Sequence, residues 1–274
     1  GSDNTATGFS TLGNNTSGAR NTGTGSLALV ANTVGSYNTG VGYSTLGSNT
    51  TGSNNTALGS SALAANTTGA GNTAVGVGTL IVNNANANTA MGYQSLGANT
   101  TGTENTGVGY QALLNNLDAS RNTALGVRAL LSTVDGSNNV AVGVDSMAGN
   151  TSGVGNTSVG FESGIANTTG SNNAMLGYFA LHSNTIGGFN AALGSNALNA
   201  NVTGSGNAAM GASALAANIA DYNTAMGYQA MMANTTGISN VAVGANSMQI
   251  STTANRATAV GVTALNGLTT GDSN

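Results

Sequence analysis

The sequence predicts an all-β fold, a parallel β-solenoid of about sixteen 17-residue coils. Two observations carry this. A glycine that closes a five-residue phrase recurs at positions 8, 25, 42, 59, 76, 92, 109, 126, 143, 160, 177, 194, 211, 227, 244 and 261. Thirteen of the fifteen steps are 17 residues and two are 16. A fixed period of this size marks a stack of identical structural units. The second observation is composition. Hydrophobic residues are 39% of the chain and sit at fixed places in the period, whereas disordered chains lack such placement.

The aligned copies read N-T-A-V-G-Y-x-A-L-x-x-N-T-T-G-x-x, numbered 1 to 17 below. Positions 1 to 4 and 6 to 9 hold Thr, Val, Tyr and Leu, separated by glycine and too short for an amphipathic helix. They predict two short strands per coil, N-T-A-V and Y-x-A-L. The glycine of position 5, as in Gly59, Gly76, Gly109, Gly126, Gly143 and Gly227, bends the chain between them. N-T-T-G supplies the second turn. The two short steps fall in this loop, as in Ile81-Val82-Asn83-Asn84-Ala85-Asn86-Ala87.

One such coil buries too little to stand alone. Parallel stacking at ~4.8 Å per layer sets like residue over like and gives a rod of roughly 75 Å. Two asparagine ladders follow. Asn55, Asn72, Asn105 and Asn122 stand at position 1; Asn66, Asn99 and Asn116 stand at position 12. Strand neighbours point to opposite faces. The aliphatics of positions 4 and 9 are expected inside. The small residues of position 3, including Ala57, Ala74, Ala90, Ala124, Ala141 and Ala225, are expected outside, broken only by Met175. Such a flat ladder would let chains pack closely. A thin coil without cysteine gains stability from oligomerisation.

The phrase A-V-G-Y-x-A-L resembles the head repeat of trimeric autotransporter adhesins, the YadA-like head. Asn105-Thr106-Gly107-Val108-Gly109-Tyr110-Gln111-Ala112-Leu113 and Asn223-Thr224-Ala225-Met226-Gly227-Tyr228-Gln229-Ala230-Met231 carry the likeness best. The fuller string is also similar to repeats in phage tail fibres and in fibre proteins that end in a self-cleaving chaperone. The resemblance covers all sixteen copies. It implies a left-handed β-roll in a homotrimeric rod, extracellular and mounted on a cell or virion surface. The repeat is a few residues longer than the usual head repeat, through the N-T-T-G loop. No heptad stalk and no membrane-anchor barrel follow.

Other classes are disfavoured. With a net charge of −4 and four arginines (Arg20, Arg121, Arg128 and Arg256), no basic stripe tracks a phosphate backbone. No apolar run approaches the ~20 residues of a membrane span. No metal or cofactor constellation is visible. His182 has no sequence neighbour able to act with it, and the acids Asp3, Glu104, Asp118, Asp135, Asp145, Glu162, Asp221 and Asp272 are scattered singly. Asp135 and Asp145 come nearest to the paired carboxylates of a sugar-cleaving groove, and nothing repeats near them. Gly76-Val77-Gly78 lacks the lysine of a phosphate loop. Sequons such as Asn49-Thr50-Thr51, Asn66-Thr67-Thr68 and Asn234-Thr235-Thr236 read as turn chemistry.

The expected function is a structural fibre or adhesin segment whose partners are its own copies and a surface receptor or glycan, with no catalytic residues. Residues 1–274 read as one continuous repeat region from a longer protein. The rival reading from another class is an ice-binding solenoid, suggested by Thr at position 2 in eleven copies. The tyrosines of position 6 (Tyr43, Tyr93, Tyr110, Tyr178 and Tyr228) read as packing aromatics rather than sugar platforms.

Overall fold

The computed structural model describes residues 1–272, and the chain forms two compact units, Gly1–Ser137 and Asn138–Asn274. Each unit is a parallel β-solenoid with eight three-residue strands, from Thr5–Thr7 to Thr123–Leu125 in the first and from Val140–Val142 to Thr258–Val260 in the second. Within each unit successive strands pair in parallel and in register. Thr56, Ala57 and Leu58 face Thr73, Ala74 and Val75. No helix occurs among the described residues.

Each coil holds one strand rather than two. The segment Y-x-A-L folds as consecutive turns, because positions 7 and 9 take left-handed backbone conformations. Ser61 has φ 58° and Leu63 has φ 52°; Gln111 and Leu113 repeat this at 55° and 54°. The segment still bonds to both neighbouring layers. The Ser61 N–H donates to Tyr43 O at 2.9 Å on one side, and the Leu63 N–H donates to Thr79 O at 3.0 Å on the other. Backbone hydrogen bonds therefore still tie this segment to its neighbours although it forms no strand.

A left-handed leucine costs ~1–2 kcal/mol in backbone sterics, and burying its side chain returns ~2–3 kcal/mol. Burial therefore wins. Leu29, Leu46, Leu63, Leu80, Leu96, Leu113 and Leu130 are completely buried. The same conformation explains a restriction in the sequence. Position 9 is Leu or Met everywhere except Gly164 and is never Val or Ile. A β-branched side chain at positive φ is strongly disfavoured.

The leucine file leaves little room opposite it, and the position-3 residues fill what remains. A Cβ on Gly40 would lie 3.6 Å from the Leu29 side chain, and one on Gly107 would lie 2.6 Å from Ser95 Oγ. This reverses the expected orientation of the strand. Ala57, Ala74, Ala90, Ala124, Ala141 and Ala225 are fully buried inside the coil, so they form no chain–chain face. The position-4 aliphatics point outward. Strand alternation put positions 2 and 4 on one face correctly; the narrow bore decides which face is inside.

Gly164 and Met175 depart from the repeat together. Gly164 stands where other coils have Leu or Met, and Met175 stands where they have Ala, Gly or Ser. A Cβ on Gly164 would meet Met175 Sδ at 2.5 Å. The methionine of one coil therefore occupies the volume left by the missing leucine of the coil beside it, and core density is kept.

The bend at position 5 requires glycine for two reasons. Its φ runs from 124° to 145°. A Cβ would also strike the next layer: on Gly59 it would lie 2.7 Å from Gly76 O, and on Gly109 it would lie 2.3 Å from Gly126 O.

The asparagine files close each coil. In the coil from Asn55 to Gly71, the side-chain amides of Asn55 and Asn66 both donate to Gly69 O, at 2.8 and 3.0 Å. Asn66 Nδ2 also donates to Asn49 Oδ1 at 2.8 Å, and the Asn55 N–H donates to Asn38 Oδ1 at 3.0 Å. Where the position-12 file breaks, a buried amide oxygen loses its partner. In the two short coils Asn83 and Asn218 turn their amides to Ala85 O and Ala220 O, which orphans Asn66 Oδ1 and Asn201 Oδ1. Thr133 and Ser251 stand in for asparagine at position 12. They leave Asn116 Oδ1 and Asn234 Oδ1 unpaired, with their own hydroxyls unpaired too.

Two stability tests follow from this interior. Met175→Ala opens a cavity and is expected to cost ~2–5 kcal/mol, and Gly164→Leu overpacks and costs ~1–3 kcal/mol. The double variant restores the arrangement of the other coils and should unfold close to the parent. Additive losses in a denaturant double-mutant cycle would refute the shared-volume account. Ser251→Asn should donate to Asn234 Oδ1 and to Ala254 O, as Asn66 does in its own coil. A gain of ~1–2 kcal/mol is expected from satisfying the buried oxygen, read as a raised Tm. An unchanged or lowered Tm would show that the break is neutral.

Candidate functional site

Because the coil turns position 3 inward, its outward strand face carries positions 2 and 4. Leu58, Met91, Leu125 and Leu176 are each 44–51% exposed. Beyond the bend, position 6 is aromatic in seven of the sixteen coils, and Tyr93 and Tyr110 there stack at 5.6 Å with planes 11° apart. Exposed aliphatic side chains therefore repeat along the strand face of each unit, with exposed aromatics recurring beyond the bend. Such repetition exceeds the scattered single exposures of ordinary surfaces.

Position 2 differs between the units. All eight strands of the first unit begin with Thr. In the second, Val140, Ala174, Ala191, Ala208 and Val241 replace it and only Thr157, Thr224 and Thr258 remain. The threonine file is thus an unbroken feature of the first unit alone.

The sequence-derived residues fall into distinct places. Gly59, Gly76, Gly109, Gly126, Gly143 and Gly227 lie at the bends with positive φ. Asn55, Asn72, Asn105, Asn122, Asn66, Asn99 and Asn116 are completely buried in the two files. The sequon asparagines Asn49, Asn66 and Asn234 belong to the position-12 file. Their buried amides already donate hydrogen bonds, which bars glycan attachment to the folded chain. Tyr43, Tyr93, Tyr110, Tyr178 and Tyr228 all remain about half exposed.

His182 is less isolated than the sequence suggests. Its Nε2 lies 3.3 Å from Glu162 Oε2, and its ring meets Phe179 edge-on at 4.8 Å. Twenty residues separate the two polar groups, but they occupy positions 7 and 10 of adjacent coils. Aligning the copies in layers, rather than scanning for sequence neighbours, would have paired them. Elsewhere Arg20 lies 3.9 Å from Asp3 and stacks over the Tyr37 ring at 5.2 Å. Among the described residues there is no pocket and no group of three or more His, Asp or Glu side chains. No helix among the described residues is long and apolar enough to cross a membrane.

Neither a protein-family model nor a curated protein matches this chain.

Proposed function

We propose that the chain is a structural segment of an extracellular fibre or adhesin, a homotrimeric left-handed β-roll that holds a receptor-binding part away from a cell or virion surface. The observation that supports it most is the aliphatic column of position 4. Fourteen of the sixteen coils place Val, Leu or Met there, so a weak contact between chains recurs along the stack. Burying that column is favourable by the hydrophobic effect. A closed three-fold arrangement covers it without leaving a sticky surface. The bacterial adhesin and the phage tail fibre are equal settings for this reading.

A second reading, ice binding, draws on the unbroken threonine file of the first unit, whose hydroxyls lie beside aliphatic side chains on a regularly spaced face. It needs that face free in solution, and the trimer needs it covered. Oligomeric state therefore separates the two.

The test is sedimentation velocity on the parent and on the variant Leu58→Glu with Leu125→Glu. The parent is expected at three times the 26.3 kDa chain mass. Both leucines are about half exposed in the single chain, so the variant can keep its coils while placing unpaired carboxylates in the interface. It should dissociate at least ~100-fold more readily, given a penalty of several kcal/mol per buried charge. A parent that is monomeric, or a variant that stays trimeric, would refute the interface. A monomeric parent that depresses the freezing point below its melting point would establish the ice-binding reading instead.

A further inference from the structure

The two coils from Asn156 to Phe189 hold the densest departures from the repeat. Besides Gly164 and Met175, they carry Glu162 and Phe179 at position 7, where most other coils have Ser, Gln or Asn and where Leu27, Arg128 and Asp145 are the other bulky or charged residues. His182 at position 10 is the one histidine of the sequence. Other coils stack without any of these residues, so the stack itself does not call for them.

The side chains form one continuous surface. Phe161 and Tyr178 stack at 5.6 Å with planes 11° apart. Phe179 extends the platform, 4.0 Å from Tyr178 and 5.9 Å from Phe161 between ring centroids. His182 closes its edge, with Glu162 Oε2 3.3 Å from the imidazole Nε2. Phe161 and Tyr178 are 42% and 50% exposed, and the Glu162 and His182 side chains are 25% and 33% exposed. Partly exposed, mutually stacked aromatic rings thus lie beside a carboxylate that accepts hydrogen bonds and an imidazole that can donate or accept them.

We propose that this patch is a binding site for a hexopyranose of the glucose or galactose type. The proposal deepens the attachment reading, on which it rests, by naming the chemistry of a ligand. A pyranose presents a flat face of C–H groups and an edge of hydroxyls. The first packs on the rings of Phe161, Tyr178 and Phe179, and the second reaches Glu162 and His182. Three features favour this occupant over others. A contact between copies of the chain gains by recurring in every layer, and this cluster occurs once. A nucleic acid would bring phosphates to a carboxylate on a chain of net charge −4. A peptide side chain is normally anchored in a pocket, and no pocket opens among the described residues, whereas a flat ring needs none. A shallow site of this kind binds a single sugar on the order of 1 mM, and several copies on one particle raise the avidity.

His182 is its own reporter, since its imidazole resonances are unique in the protein. The probes are methyl β-glucoside, methyl β-galactoside and lactose, each titrated to about 50 mM, well above a millimolar Kd. At least one should shift the His182 resonances saturably and receive saturation transfer from the aromatic protons. Phe179→Ser and Glu162→Gln place at these positions residues that other coils already carry, so Tm should hold while affinity falls at least tenfold. Tyr110→Ser, in a coil without the cluster, should leave binding unchanged. The proposal is overturned if none of the three sugars shifts His182, or if the shift survives both cluster variants. Sedimentation of the same samples keeps the two readings apart. A monomer that binds sugar sinks the fibre and not the site; a trimer with no response sinks the site and not the fibre.

Discussion

In each regular coil two asparagine amides converge on one carbonyl oxygen, and the remaining architecture depends on that junction. Asn55 and Asn66 reach Gly69 O from opposite sides of the loop and so close a segment of 15 residues into a ring. Where the files run unbroken, the amide oxygen then faces a neighbouring layer and accepts a backbone or side-chain N–H, as Asn38 Oδ1 accepts from the Asn55 N–H and Asn49 Oδ1 from Asn66 Nδ2. The interior can therefore carry two files of buried asparagine, because a fully satisfied buried amide costs little and an unsatisfied one costs a good deal. The N-T-T-G loop has its length for the same reason. When one residue is lost, the junction survives at Ala85 and Ala220, but the link to the previous layer does not.

Only a narrow channel is left once both asparagine files are in place. A single leucine file fills it, helped by alanine, glycine and small hydroxyl residues. To send both positions 8 and 9 inward, the chain must leave the extended conformation, and the left-handed leucine is the result. The same narrowness expels the position-4 aliphatics. An exposed apolar column is thus a consequence of how little the coil can hold, and fourteen of the sixteen layers repeat it.

The period, the glycine bend and the asparagine columns were legible because each depends on residue identity at a fixed spacing. The expected second strand is absent from the coil. Alternation within Y-x-A-L looked like a strand, yet Ala62 and Leu63 are adjacent and both buried, which no strand permits. Two neighbouring columns that both avoid polar bulk were the signal against it. The direction of the strand face was not readable from parity, since inward and outward are interchangeable until the width of the bore is known. The width follows from groups that meet inside the stack, as the Leu29 side chain lies where a Cβ on Gly40 of the next coil would touch it. Pairings such as Gly164 with Met175, or Glu162 with His182, link different coils and emerge only once layers rather than neighbours are compared.

Repetition sorts the surface into two kinds of chemistry. A column present in every layer can support only interactions that tolerate, or profit from, being multiplied. Stacking and association between chains are of this kind, and the aliphatic face suits them. A group that appears in one pair of layers gains nothing from multiplication. It has to be maintained against a scaffold that works equally well with Ser or Gln at that position, as the coils around Ser61 and Gln111 demonstrate. The region around Phe179 meets this description twice over, outside in its aromatic platform and inside in the exchanged volumes of Gly164 and Met175. Gly164 lies between Glu162 and His182 in sequence, and Met175 takes up the core volume it leaves. The compensation lets two coils carry an irregular surface without losing the packing on which the neighbouring layers rely.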